Sequence, residues 1–118
     1  MAARKTNPDF MTGVPELLVL RLLAEREMYG YELVQAVQTA TGAAISLGEG
    51  VVYPTLHALE EQGCLKARRK AVAGRTRVYY TATAAGQKRL GAMVGEWQRI
   101  TDAVSSIVKG AVHATATP

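Results

Sequence analysis

The sequence has one cysteine, Cys64, among its 118 residues and lacks any run of 18 consecutive apolar residues. A single cysteine excludes a disulfide framework and a cysteine-rich zinc site. Without a long apolar run no transmembrane helix is expected, and the opening residues MAARKTNPDF lack the apolar segment of a signal peptide. We therefore expect a cytoplasmic protein with no membrane partner.

Arrangements that carry out catalysis are also missing from this chain. No nucleophile has a matching base, and no glycine-rich phosphate loop occurs. The tripeptide GEG at 48–50 is too short for nucleotide binding, and His57 and His113 are too far apart in sequence for a metal site. The length suits one domain, which we predict is not an enzyme and needs no cofactor.

Positive charge is concentrated in one part of the chain. The formal net charge is +4, from 14 basic and 10 acidic residues. Six of the basic residues and none of the acidic ones lie between Cys64 and Tyr80. They are Lys66, Arg68, Arg69, Lys70, Arg75 and Arg77. Such a local cluster favours contact with a polyanion, although a solvated charged loop is the alternative.

The stretch LGEGVVYPTLHALEEQ at 47–62 predicts a helix with an unusual exposed face. Ser46 followed by Glu49 has the spacing of a capping box, which places the helix start near Gly48. Its buried stripe is predicted to be Val52, Leu56 and Leu59. The face away from that stripe has small, uncharged residues where a solvated helix would carry Lys, Glu and Gln. Its members are Gly50, Val51, Pro54, Thr55 and Ala58. This face favours close approach to another surface, and we interpret it as a recognition helix for duplex DNA.

Two further helices are predicted before this one. The first starts at about Pro15, and its leucines (17, 18, 20, 22 and 23) surround most of its circumference, so it should be central. The second runs from about Tyr31 to Thr41, with Leu33, Val34 and Val37 facing inward and Gly42 as its C-terminal cap. An extended piece at 44–47 leads into the third helix.

After Gly63 the hydrophobic pattern changes from helical to alternating. Two alternating runs, 65–70 and 77–81, flank a turn at 71–76 that contains Gly74, which predicts a β-hairpin. Tyr80 is expected in the core and Tyr79 exposed. Three helices followed by a basic hairpin is the order of a winged helix-turn-helix with the hairpin as its wing. The fold class is therefore mainly α with a small β-hairpin and a long C-terminal helix.

The last helix is predicted to start after Thr83 and to run over about 84–109. Its apolar residues alternate in steps of three and four, as in a coiled-coil seam. They are Leu90, Met93, Trp97, Ile100, Val104 and Ile107. We predict that this seam forms a homodimer interface, with folding back on its own domain as the alternative. The domains are then a flexible arm at 1–11, a winged helix at 12–82, a dimerisation helix at 83–109 and a flexible tail at 110–118.

Three segments together resemble the PadR family of bacterial transcriptional regulators. They are YGYEL at 29–33, GEGVVYPTLHALEEQGCL at 48–65 and AGRTRVYYTATAAG at 73–86. The match runs from about Val14 to about Ile107, and the single last helix resembles the family's shorter subgroup. The resemblance implies a homodimer that binds a palindromic operator and represses transcription until an inducer binds. In some short members a tryptophan on the last helix stacks on flat aromatic compounds, and Trp97 stands at that place. Met93 and Ile100, one turn on either side, complete the predicted ligand site.

A dimer of this kind would place its third helices about one DNA turn apart, roughly 34 Å. Gly50, Val51, Pro54 and Thr55 would face the major groove, with apolar contacts to thymine methyls and the Thr55 hydroxyl near a base edge. Ser46 and Tyr53 would reach phosphates, although Tyr53 could simply cover the helix edge. The predicted cationic phosphate contacts are Lys66, Arg68, Lys70, Arg75 and Arg77. Since the helix face has no Arg, Asn or Gln, direct base readout should be limited.

Two alternatives to these assignments remain open. The same helix face could bind a protein in an interaction module without DNA binding, although the basic hairpin argues for DNA. Cys64 is expected to be a small core residue, with redox sensing as its alternative.

Overall fold

The computed structural model describes the backbone of residues 13–116 and the side chains of residues 13–110. It contains four helices and a three-stranded antiparallel sheet, which confirms the predicted fold class. In chain order the elements are α1 (Val14–Glu25), β1 (Met28–Tyr29), α2 (Gly30–Ala40), α3 (Glu49–Glu61), β2 (Leu65–Val72), β3 (Arg75–Ala82) and α4 (Ala84–Ala116). The predicted N-terminal arm at 1–11 lies outside the described residues.

The core lies where α1, α2 and α3 meet the base of the sheet. The predicted stripe of α3 is confirmed, because Val52, Leu56 and Leu59 have no exposed surface. From α1, the buried residues are Val14, Val19, Leu20 and Leu23, while Leu17, Leu18 and Leu22 are half-buried. The sheet contributes Met28, Leu65 and Tyr80. Burying each large aliphatic side chain stabilises the fold by about 1.5–3 kcal/mol, so this cluster fixes how α3 is presented.

Helix ends follow local signals with one exception. Gly42 and Gly63 adopt positive φ angles of 58° and 77° after α2 and α3, as expected of helix-ending residues. At the start of α2, the Glu32 carboxylate accepts a hydrogen bond from the Tyr29 backbone amide at 3.1 Å. This helix begins at Gly30 and ends at Ala40, one residue earlier at each end than predicted.

The exception is the start of α3, where the predicted capping box is wrong. The N-cap is Gly48, and no side chain forms a capping hydrogen bond there. Ser46 lies two residues before the N-cap, which is too early to cap the first turn. The Gly48 carbonyl accepts from the amides of Val51 and Val52, both at 3.0 Å. The extended backbone before α3 therefore ends at a residue without a side chain, and Ser46 is exposed.

The hairpin is longer and its turn tighter than the sequence suggested. Strands β2 and β3 pair over eight residues each, and only Ala73 and Gly74 lie between them. These two residues have φ angles of 52° and 78°. Two consecutive residues with positive φ match the twist of a two-residue hairpin. The wing is therefore a regular ribbon to its tip rather than two short strands joined by a loop of six residues.

Strand β1 was not predicted. Met28 and Tyr29 pair antiparallel with Tyr80 and Tyr79 of β3, which gives the strand order β1-β3-β2. Two residues are too few to show an alternating pattern. This strand connects the segment between α1 and α2 directly to the hairpin, which anchors the base of the wing.

Helix α4 is fixed at its start by contacts with α1 and with the link after α3. The Thr83 hydroxyl accepts a hydrogen bond from the Gly86 amide at 3.0 Å, which confirms the predicted cap, and donates to the Gly63 carbonyl at 2.6 Å. Arg89 donates to the Glu16 carboxylate at 2.8 Å and joins α4 to α1. The helix continues to Ala116 instead of ending near Lys109. Alanine has the highest helix propensity, and three alanines follow residue 110.

Gly86 of α4 packs against backbone, which leads to a stability prediction. A Cβ atom at this position would lie 2.1 Å from the Cys64 carbonyl oxygen. That oxygen also accepts a hydrogen bond from the Thr83 amide at 2.9 Å, so it cannot move away freely. We expect Gly86→Ala to reduce the free energy of unfolding by about 1–3 kcal/mol, measured by urea or thermal denaturation.

The matched control lies further along the same helix. A Cβ atom on Gly91 meets nothing within 4 Å. Replacing an exposed helical glycine by alanine typically stabilises by about 0.5–1 kcal/mol. Gly91→Ala should therefore raise the unfolding midpoint while Gly86→Ala lowers it, and equal effects of the two would contradict the close contact at Gly86.

Candidate nucleic-acid interface

After its first residue, Glu49, α3 is uncharged for about two and a half turns. Between Gly50 and Ala58 the helix contains no Lys, Arg, Asp or Glu. Gly50 and Pro54 are exposed and Val51 is 41% exposed. Pro54 lies inside the helix, where its missing amide would have met the carbonyl of Gly50, and a Cβ atom on Gly50 would meet open space. A flat surface of this kind permits close approach of another molecule.

The predicted base contact of Thr55 is limited by a hydrogen bond within the helix. Thr55 is half-buried at the side of α3, and its hydroxyl donates to the Val51 carbonyl at 2.7 Å. The hydroxyl proton is therefore used inside the helix. A base edge could meet only the remaining lone pairs or the methyl group of Thr55, which further limits readout by hydrogen bonds.

A shallow depression separates this face of α3 from the start of α1. Its lining consists of Pro15 and Glu16 from α1 and Val51, Pro54, Thr55 and Ala58 from α3. Glu16 thus brings a carboxylate of α1 beside the uncharged face of α3. Glu16 is paired with Arg89 at 2.8 Å, which reduces the repulsion that its charge would exert on a nearby anion.

The Tyr53 ring lies against the first residue of α2. A Cβ atom on Gly30 would be 2.5 Å from the Tyr53 hydroxyl and from two of its ring carbons. Any larger residue at position 30 would displace the end of the Tyr53 side chain, whose hydroxyl lies at the N-terminus of α2. Tyr53 is 37% exposed, so its side chain packs on α2 and is also partly open to solvent.

The register of the hairpin divides its cations between two faces. Lys66, Arg68 and Lys70 of β2 pair with Thr81, Tyr79 and Arg77 of β3, so these side chains share one face. The opposite face carries Leu65, Ala67 and Tyr80, which belong to the core or pack on it. We call the first of these faces the outer face of the sheet.

Arg69 differs from the predicted wing residues in its position. It pairs with Val78 on the face that continues from the core, and it is exposed. The prediction did not include it among the DNA contacts, although its exposure matches that of Lys66 and Arg75. Among the described residues, none of these three cations forms a salt bridge.

Two of the predicted wing cations are already paired with an acid that the sequence analysis missed. Arg68 donates to the two oxygens of Glu27 at 3.0 and 3.3 Å, and Lys70 donates to the second of these oxygens. The Lys70 hydrogen bond is the main reason that the pKa of the Glu27 carboxyl lies below its ordinary value of 4.5, and Arg68 adds to it. Because Glu27 precedes the hairpin by about 40 residues, no local pattern could reveal this contact.

Aromatic rings contact two of the cations on the outer face, Lys70 and Arg77. Tyr29 and Tyr79 meet edge to face with ring centroids 5.3 Å apart. The Arg77 guanidinium lies 4.4 Å from the Tyr29 centroid, and Lys70 Nζ lies 4.4 Å from the Tyr79 centroid. Tyr79 is consequently half-buried rather than exposed. Such cation–π contacts each contribute about 0.5–1 kcal/mol at exposed sites and restrict the movement of Lys70 and Arg77.

The predicted seam of α4 divides into two parts. Leu90 and Met93 pack against the core of their own domain, and Ile100 is 7% exposed in the single chain. Trp97, Val104 and Ile107 are exposed by 36, 49 and 74%. Val94 and Val108 add to this surface, at 43 and 64%. The three predicted ligand residues therefore do not share one open surface, since only Trp97 is exposed.

No alternative chemistry is evident in the part of the chain that the structure describes. Within residues 13–110 no group of three His, Cys, Asp or Glu side chains could hold a metal ion. None of the described helices is both long and apolar enough to cross a bilayer. Cys64 is buried, as expected of a small core residue.

Comparison with known proteins places these features in a family. The transcriptional regulator PadR-like family matches residues 19–92. A transcriptional regulator of Mycobacterium tuberculosis is 37% identical over 82 residues, covering 70% of this chain and 74% of that protein. A solved transcriptional regulator from Clostridium thermocellum is 25% identical with a TM-score of 0.78, covering 88% of this chain and 99% of that one. A PadR family transcriptional regulator from Eggerthella lenta is 29% identical with a TM-score of 0.72, covering 82 and 83% of the two chains.

Proposed function

The chain belongs to the PadR-like family of transcriptional regulators, and we propose that it acts as a homodimeric repressor that binds a palindromic DNA operator. The observation that carries this proposal is the position of an uncharged helix face beside a cationic hairpin. The face of α3 lets the protein approach the base edges closely, and exposed Lys66, Arg69 and Arg75 supply charge for the phosphates.

Base contacts come from the N-terminal half of α3. Gly50, Val51 and Pro54 enter the major groove, where Val51 and the Thr55 methyl contact thymine methyl groups. With the Thr55 hydroxyl donating within the helix, few hydrogen bonds to bases can form. Selection of the operator then depends on shape, apolar contact and the deformability of the duplex.

Phosphate contacts fix the orientation of the protein on the duplex. Ser46 is exposed in the segment before α3, and the Tyr53 hydroxyl lies at the start of α2, so both meet the edges of the groove. The wing contributes Lys66 and Arg75 fully, whereas Arg68, Lys70 and Arg77 remain partly engaged with Glu27 and Tyr29.

The exposed apolar surface of α4 supports dimerisation. Val94, Trp97, Val104, Ile107 and Val108 all lie within one side of the helix. Exposed apolar patches of this kind mark interaction sites, and a second copy of the same helix covers the patch in a symmetric dimer. The twofold axis then places the two α3 helices about one DNA turn, roughly 34 Å, apart.

Control by a small molecule would act through this dimer. A flat aromatic compound that inserts beside Trp97 changes the separation of the two α3 helices, and DNA affinity changes by the same coupling energy. Met93 and Ile100 would have to move to widen the site, since both are covered in the single chain. Titration of Trp97 fluorescence with a panel of flat aromatic compounds tests this part, and an unquenched signal from an intact dimer would refute it.

The proposal as a whole is tested by fluorescence anisotropy with labelled duplexes from the region upstream of the chain's own gene. We expect one duplex to bind far more tightly than a scrambled duplex of equal length and composition. With about six phosphate contacts per protomer, affinity should fall by about 10³-fold or more between 50 and 200 mM salt. Failure to bind any duplex at low salt, together with binding of a protein to the α3 face, would instead indicate a protein-interaction module.

A further inference from the structure

Glu27 occupies a particular place on the outer face of the sheet. It directly precedes β1, and its side chain reaches across β3 to two residues of β2. Its carboxylate accepts three hydrogen bonds in all, two from Arg68 and one from Lys70. The Glu27 side chain is 26% exposed and that of Arg68 is 61% exposed. Glu27 is thus more buried than Arg68, with which it forms an ion pair.

The surrounding rings leave these cations little freedom. Lys70 lies over Tyr79, Arg77 lies over Tyr29, and the two rings contact each other. We call Glu27, Tyr29, Arg68, Lys70, Arg77 and Tyr79 the outer-face cluster. It contains three cations and one carboxylate, so Glu27 offsets one of the three positive charges that the hairpin contributes to this cluster.

The pairing affects how the wing interacts with DNA. A cation that donates to a carboxylate must divide its hydrogen bonds between that carboxylate and an arriving phosphate, which weakens its contact with the phosphate. Attraction between wing cations and phosphates does not depend on base sequence. An acid that occupies two of the cations therefore reduces the part of the affinity that every duplex shares, while the contacts of α3 are unaffected.

We propose that Glu27 restrains sequence-independent DNA binding by holding Arg68 and Lys70 in intramolecular ion pairs. This inference rests on the proposed function, because it concerns how strongly the wing attracts any duplex. Glu27 acts through the two cations and does not itself contact DNA. The wing then has three classes of cation: Arg68 and Lys70 are paired with Glu27, Arg77 lies over Tyr29, and Lys66, Arg69 and Arg75 form no salt bridge among the described residues.

The test is Glu27→Gln, measured as the dissociation constant for a non-operator duplex from 50 to 300 mM salt. We expect the variant to bind about 3–10-fold more tightly at 50 mM, with a log–log salt slope steeper by about 0.9 for each freed phosphate contact. Glu25→Gln is the matched control, because it makes the same charge change two residues away at an exposed pair with Arg21. The control should change affinity by less than about twofold.

A second set of variants separates pairing from simple repulsion. In a background of Arg68→Ala and Lys70→Ala, Glu27→Gln should have little further effect, because no cation remains to be released. A full gain of affinity in that background would show direct repulsion of phosphate by Glu27 and overturn the inference. Weaker DNA binding by Glu27→Gln with an unchanged circular dichroism spectrum would also overturn it, since Glu27 would then position the cations for DNA.

DNA binding by the unaltered protein tests the proposed function separately from the inference about Glu27. If the unaltered chain binds duplex DNA with a steep salt dependence but Glu27→Gln matches it, only the inference about Glu27 fails. If the unaltered chain binds no duplex at low salt, the proposed function itself fails.

Discussion

Replacing Lys66 and Arg75 together by alanine is expected to weaken binding to operator DNA by about 100-fold or more near 100 mM salt. Both side chains are exposed, and neither forms a salt bridge among the described residues. A hydrogen bond to a charged group contributes about 1.5–3 kcal/mol, and a dimer loses each contact twice. Non-operator DNA should lose affinity by a similar factor, since the lost contacts are to phosphates.

The salt dependence gives this prediction its sharpest readout. The log–log slope should become shallower by about 0.9 for each phosphate contact removed. Arg21→Ala with Lys88→Ala is the charge-matched control, because both residues are exposed and lie on α1 and α4 rather than on the hairpin. If the control double variant loses as much affinity as the wing variant, net charge rather than the wing governs binding and the proposed interface is wrong.

A carboxylate in the exposed apolar stripe of α4 is expected to dissociate the proposed dimer. Val104 is 49% exposed, and its side of the helix also carries Trp97 and Val108. In the proposed dimer, Val104→Asp buries two like charges without partners, each of which costs several kcal/mol. We expect the dimer dissociation constant to rise by about 100-fold or more, and operator binding to be lost with it.

Sedimentation equilibrium at micromolar concentration measures this effect directly. Ser106→Asp is the matched control, because it introduces the same charge two residues later on the opposite side of α4. The control should remain dimeric and bind DNA normally. A monomer in the unaltered protein, or an intact dimer in Val104→Asp, would show that this stripe is not the dimer interface.

Features that depend on neighbours within a few residues could be predicted from the sequence. The stripe of Val52, Leu56 and Leu59 is recognisable because a helix brings side chains three and four residues apart onto one face. Thr83 was identified as a cap because its hydroxyl bonds within the first turn of its own helix. The alternating hairpin was recognised for the same reason, as was the uncharged segment from Gly50 to Ala58.

Sequence patterns could not predict a structure where two arrangements of the chain fit the same pattern. Ser46 and Glu49 have the spacing of a capping box, yet the chain starts its helix after Gly48, and Ser46 is left outside. The seam of α4 has one continuous spacing, but only packing against α1 and the sheet separates Leu90 and Met93 from exposed Val104. Spacing identifies which residues share a side of a helix, and only the surrounding elements decide what covers them.

The tertiary structure alone decided the charge that the wing presents. Glu27 reaches Arg68 and Lys70 because β1 pairs with β3 and β3 pairs with β2, a register set over more than 40 residues of chain. The same long-range packing brings Glu16 to Arg89 and the Tyr53 ring to Gly30. Periodicity and capping depend on neighbouring residues and can be read along the chain, whereas an ion pair depends on where separate elements meet after the core has formed.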